Sequence, residues 1–120
     1  MSKTIPFSPP DITEEEIKEV SDALRSGWIT TGPRTKQFEK NLCEYLRVDN
    51  CVCLNSATAA EELNFRILGI GEGDEVIVPA YTYTATASAA IHCGAKVVFV
   101  DSQKDSTEMD YDKVAAAITE

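Results

Sequence analysis

The run from Gly71 to Tyr83, Gly-Glu-Gly-Asp-Glu-Val-Ile-Val-Pro-Ala-Tyr-Thr-Tyr, restricts the fold of this chain more than any other. Glu75 to Val78 reads as a buried-type strand, and Pro79 stops it. The strand delivers Tyr81, Thr82 and Tyr83 to the carboxyl edge of a sheet, where open α/β sheets bind ligands. Upstream, a short apolar run (Cys51 to Leu54) leads into Asn55-Ser-Ala-Thr-Ala-Ala and a helical pattern. A strand that ends in small and hydroxylated residues at a helix start makes an anion site. Unpaired N–H groups and the positive end of the helix dipole meet there. The stretch from Asn55 to Tyr83 thus offers an anion cradle at one end and an aromatic face at the other.

The rest of the chain supports a layered α/β arrangement. Ser8-Pro9-Pro10-Asp11 is a turn-rich arm. Thr13-Glu14-Glu15-Glu16 matches a capping box, with Ile12 and Ile17 set for a hydrophobic staple. Ile17, Val20 and Leu24 give one apolar stripe, and Ser26-Gly27 ends that helix. Trp28 to Gly32 is a loop, and Pro33 suits the first position of the next helix. Phe38, Leu42, Tyr45 and Leu46 are the expected buried face. A strand over Cys51–Leu54 and a helix from about Thr58 to Leu68 follow, with Gly69 and Ile70 placed for a Schellman closure. Helix Thr82–His92, the turn Cys93-Gly94-Ala95 and strand Lys96–Val100 complete a β-α-β unit, which implies a parallel pair. Ser102 to Asp110 is polar loop, and a last helix is expected over Tyr111–Thr119.

Composition narrows the class. At 120 residues the chain suits one small domain, residues 1–120, that buries about two-thirds of its unfolded surface. No apolar run approaches the ~20 residues of a membrane span. The first ten residues lack the layout of a signal peptide, so a cytoplasmic protein is expected. A net charge of −9 argues against nucleic acid or anionic membrane as partner.

Four cysteines invite a metal reading, but no pair has the C-x₂₋₄-C spacing of a structural zinc site. Free thiols are expected, with no metal and no disulfide. Gly-x-Gly-x-x-Gly is absent after the first strand, and Gly69-x-Gly71-x-Gly73 precedes a strand, so a dinucleotide fingerprint fails its context. There is no phosphate-loop Gly-Lys-Ser/Thr, no Ser-His-Asp set, and the lone His92 reads as a helix-end residue.

Four blocks occur in order and at specific spacing: Trp28-Ile-Thr-Thr-Gly-Pro, Asn55-Ser-Ala-Thr-Ala-Ala, Gly71 to Tyr83, and Gly94-Ala-Lys-Val-Val-Phe-Val-Asp101. Together they resemble the N-terminal part of the DegT/DnrJ-type nucleotide-sugar aminotransferases. The resemblance covers nearly the whole chain. It implies the aspartate-aminotransferase fold, here an incomplete three-layer α/β/α large domain with a mostly parallel sheet. It implies pyridoxal 5'-phosphate (PLP) as cofactor. The substrates would be a nucleotide sugar and an amino-acid amino donor, and the assembly a homo-oligomer such as a dimer. Ser56, Ala57, Thr58 and Ala59 match the segment that holds the cofactor phosphate. Tyr83 matches the aromatic that stacks on the pyridine ring, and Thr30 and Gly32 match a loop bordering the substrate.

Two departures accompany the match. The family usually carries an apolar residue where this chain has Glu61, so Glu61-Glu62 bring two carboxylates near a phosphate. The family's cofactor-binding lysine and the aspartate facing the pyridine nitrogen belong downstream of Asp101. None of Lys3, Lys18, Lys36, Lys40, Lys96, Lys104 or Lys113 lies in a matching motif. The chain therefore reads as a fragment whose buried-type strands would expose edges, with no catalytic residue of its own. A non-catalytic α/β binding or regulatory module, and a dehydrating family member with histidine at the lysine position, are the alternatives.

Overall fold

The computed structural model describes residues 4–6 and 8–119. Lys3 lies outside them. The expectation of a single small domain meets two compact units, Met1–Cys53 and Leu54–Glu120.

The first unit carries two helices, α1 (Glu14–Arg25) and α2 (Pro33–Leu46). The predicted capping box is present: the Thr13 N–H donates to Glu16 Oε2 at 2.6 Å, and Thr13 Oγ1 accepts from the Glu15 N–H at 3.2 Å. That exchange satisfies donors that a helix start leaves orphaned, and the Thr13 hydrogen bonds hold the Glu16 carboxyl below its ordinary range. Pro33 opens α2 as expected, and the Arg34 guanidinium pairs with Glu19 of α1.

The expected buried face of α2 is corrected. Phe38 and Leu46 are more than half exposed, Tyr45 is 83% exposed, and Leu42 is half-buried. An amphipathic stripe becomes a buried face only against a second apolar surface. The described residues of this unit do not supply one.

Cys51–Leu54 also differs from expectation, because it forms no strand. Burial alternates along it, with Cys51 and Cys53 half-buried and Val52 and Leu54 exposed. The period is that of a strand. A strand exists only as a member of a ladder, and no described residue pairs with this segment.

The second unit runs α3 (Ala57–Ile67), β1 (Glu75–Pro79), α4 (Thr84–His92), β2 (Lys96–Val100) and α5 (Tyr111–Ala117). The two strands are parallel, in register Glu75↔Lys96 through Pro79↔Val100. Two of the three predicted strands are therefore found, paired as the β-α-β reading requires. The Ala80 N–H extends the ladder by donating to the Val100 carbonyl at 2.8 Å. Helices α3 and α4 pack on each other, and α4 covers both strands.

The core is small. Val78, Ala89, Ala90, Ala95 and Val100 are buried, with the two α4 alanines wholly inaccessible. The alanines let α4 approach the sheet closely, and burying Val78 contributes about 2 kcal/mol.

The two helices close alike. The Ile70 N–H donates to Phe65 O at 2.9 Å and the Gly69 N–H to Arg66 O at 3.1 Å. The Ala95 N–H donates to Ala90 O at 3.1 Å and the Gly94 N–H to Ile91 O at 2.9 Å. These are Schellman pairs, predicted for α3 and repeated in α4. Helix α5 stops at Ala117, short of the expected Thr119. Ile118 turns extended, and Thr119 Oγ1 donates to Glu75 Oε2 at 2.9 Å.

Candidate functional site

Ser56 caps α3. Its Oγ accepts from the Ala59 N–H at 3.1 Å, and its carbonyl accepts from the Ala60 N–H at 3.2 Å. The N–H groups of Ala57 and Thr58 remain without an intrahelical acceptor, as the first turn of any helix requires. Ser56 and Ala57 are exposed, Thr58 and Ala59 half-buried. Small neutral side chains leave an anion free to approach those donors, with the helix dipole in its favour.

The two carboxylates of α3 part company. Glu62 Oε1 lies 2.5 Å from His92 Nδ1 at the far end of α4, and the Cys93 thiol donates to the Glu62 carbonyl at 3.6 Å. The carboxylate of Glu62 is thus committed to His92. Glu61 keeps one buried oxygen, Oε2, without a hydrogen-bond partner among the described residues. Thr58 stands one turn before Glu62 on the same helix face, the one turned to α4.

Direction follows from these contacts. Each helix leads from its C-terminus into one of two parallel strands. A β-carbon on Gly71, just after α3, would meet the Cys93 carbonyl after α4 at 3.4 Å, so the C-terminal ends lie together. Helices of about 16 and 14 Å that pack together from a shared C-terminal end run the same way. Their N-termini, at Ser56 and Tyr83, therefore share the carboxyl end of the strands. Tyr83 is the N-cap of α4 and is 82% exposed, with no side-chain capping bond. Thr82 and Thr86 hydroxyls are 3.1 Å apart beside it.

Thr30 and Gly32 sit in the first unit. Thr30 lines a hollow of about 700 Å³ with Trp28, Ile29, Pro33, Arg34 and Gln37. Gly32 is buried and does not line it. Its space is taken by the Trp28 indole, whose N–H donates to the Thr31 carbonyl at 3.1 Å. The residue pattern contained the signal for this, a lone tryptophan four positions before a glycine. The Glu62–His92 contact has no local signal, since 30 positions separate the pair.

Every described lysine is exposed. Lys18, Lys40, Lys96 and Lys113 pair with Asp22, Glu44, Glu75 and the Asp101/Asp110 pair respectively. A surface ammonium so held is a poor nucleophile at neutral pH. Among the described residues no group of three or more His, Cys, Asp or Glu could hold a metal ion, and no helix is long and apolar enough to cross a membrane.

Fold and site place the chain among α/β proteins whose helix N-termini gather at the carboxyl ends of parallel strands. Residues 10–120 match the DegT/DnrJ/EryC1/StrS aminotransferase family, and the chain belongs to it. It is 43% identical over 115 residues to the spore coat polysaccharide biosynthesis protein SpsC of Bacillus subtilis (strain 168), which covers 96% of this chain and 30% of SpsC. Over 116 residues it is 42% identical to the UDP-4-amino-4-deoxy-L-arabinose--oxoglutarate aminotransferase of Shewanella sediminis (strain HAW-EB3), covering 97% of this chain and 30% of that one. Among solved structures, the PLP form of Streptococcus pneumoniae Spr1654, provisionally named a sugar aminotransferase, superposes with a TM-score of 0.83 at 62% identity. That match covers 98% of this chain and 30% of Spr1654. The chain thus spans about 30% of the length of these relatives.

Proposed function

We propose that this chain supplies the cofactor-phosphate portion of a PLP-dependent aminotransferase that transfers an amino group from an amino acid to a nucleotide-linked keto sugar. The observation that carries the reading is the shared placement of the α3 start and Tyr83 at one end of the parallel strands. In it the Ala57 and Thr58 N–H groups and the Thr58 hydroxyl receive the phosphate. The exposed Tyr83 ring covers one face of the planar pyridine. These residues fit the group: the side chains of the cradle are neutral, and of the two α3 carboxylates Glu62 is drawn off by His92, while Glu61 keeps a buried, unpartnered oxygen among the described residues. Thr30 borders the sugar-nucleotide substrate, and Gly32 acts through Trp28 by leaving room for its ring.

When bound, PLP supplies the electrophilic carbon and the electron sink of amino transfer. The chain's own residues bind and orient it. The described lysines are all exposed, and none lies in a motif that matches the family's cofactor-binding lysine, so the proposal assigns this chain positioning and no catalytic group.

The test is an amide-resolved NMR titration of the chain with inorganic phosphate and then with PLP. Shifts centred on Ala57, Thr58 and Ala59 with phosphate, joined by Tyr83 with PLP, are expected. Shifts confined to surface lysines would overturn the reading. Borohydride reduction of the PLP-treated sample followed by peptide mapping should label no single lysine stoichiometrically.

A further inference from the structure

A second chemistry lies in the first unit, independent of the reading above. The chain leaves α2 through Arg47, in the left-handed region at φ 56°, and turns back along the helix. The return is pinned where the Cys53 N–H donates to Glu39 Oε1 at 2.9 Å. Two residues back along an extended chain is about 6.6 Å. One turn forward along α2, from Glu39 to Cys43, is about 6 Å. The two spacings match, so Cys51 comes level with Cys43. Side-chain alternation agrees, since Cys51 and Cys53 are half-buried while Val52 between them is 75% exposed.

We propose that Cys43 and Cys51 form a redox-modification site, closing to an intramolecular disulfide by exchange with a small disulfide such as oxidised glutathione. Cys51 attacks one glutathione sulfur and releases one reduced glutathione. Cys43 then attacks the Cys51 sulfur of the mixed disulfide and releases the second. Both thiol protons end on the two glutathiones, and the cysteine pair is oxidised by two electrons. The order follows from the surroundings: burial first, then the neighbouring Cys51, pushes the Cys43 thiol up. Cys43 is accordingly the weaker first nucleophile and the resolving one. Cys53 is held one helix turn away by Glu39, and Cys93 lies in the other unit. Closing the pair would fasten the Cys51–Leu54 segment to α2.

The experiment treats the chain with oxidised glutathione, counts free thiols, and maps tryptic peptides without reduction. The expected result is a fall from four free thiols to two, with Asn41–Arg47 linked to Val48–Arg66. Dithiothreitol should restore all four. The link should vanish in Cys51→Ser and persist in Cys53→Ser. A link that survives Cys51→Ser, a mixed glutathione adduct alone, or only intermolecular bridges would overturn the proposal. Should the serine variants fail to fold, native-state alkylation of the wild type decides. Joint protection of Cys43 and Cys51 after oxidation supports the site, and protection of any other pair refutes it.

Discussion

A β-carbon on Gly32 would stand 2.0 Å from Nε1 of Trp28. The backbone of Gly32 is extended, at φ −168°, so any residue could adopt its conformation. Space alone selects glycine.

Gly32→Ala must therefore displace the indole and break its bond to the Thr31 carbonyl. Trp28 is the only tryptophan, so its fluorescence reports the site directly. The expected outcome is a red-shifted emission and a loss of about 1 kcal/mol in urea unfolding, the low end for overpacking because the ring is partly exposed. An unchanged spectrum would show that the loop accommodates the methyl group without moving the ring.

Gly94 is selected by conformation. At φ 91° it turns the end of α4 into β2, and an added β-carbon would meet the Glu72 N at 3.4 Å. Gly94→Ala should cost about 1–2 kcal/mol, read as a lower denaturation midpoint with an unchanged slope. A variant as stable as the wild type would contradict the Schellman closure at this helix end.

Tyr83 separates stacking from burial. If its ring covers a flat ligand, Tyr83→Phe keeps PLP affinity and Tyr83→Ala lowers it roughly 3- to 10-fold. Fluorescence titration with PLP distinguishes the two, and equal affinities for Ala and Phe would exclude the stacking role. At 82% exposure, neither change should alter stability much.

The pair that starts the ladder carries a pH dependence. Lys96 Nζ lies 2.5 Å from Glu75 Oε1, and this bond, followed by that from Thr119, holds the Glu75 carboxyl below its ordinary value of 4.5. A depressed folded-state value means that the contribution is fully present above the unfolded-state range. It is lost as pH falls through the lower folded value. Urea midpoints of the wild type should therefore drop more steeply under acid than those of Glu75→Gln. Parallel curves would remove this pair from the acid response.

Local chemistry was legible in the residues. Thr13 with Glu16, Pro33, Gly69 with Ile70, and strands Glu75–Val78 and Lys96–Val100 each follow from neighbours within a few positions. The Ser56–Ala59 turn was legible for the same reason, because the cap and its helix are contiguous. Features that depend on remote surfaces were not legible. Phe38 and Tyr45 have the spacing of a buried face but stand exposed, and Cys51–Leu54 has the alternation of a strand but no ladder. Periodicity records which side of an element is apolar, whereas burial depends on what is brought against it. The Cys43–Cys51 approach and the Glu62–His92 contact arise only once the chain has turned back on itself.

The two-stranded ladder has a consequence for handling the protein. Among the described residues β1 pairs only with β2, so each strand presents one row of unbonded N–H and C=O groups, and on β2 the Phe99 side chain is 62% exposed. Such a row recruits an extended segment from any chain that meets it. Encounter frequency rises with concentration while folding within one chain does not. Yield on refolding should then be decided by dilution rate, and an ordered nucleus of stacked chains would be the product of working too concentrated.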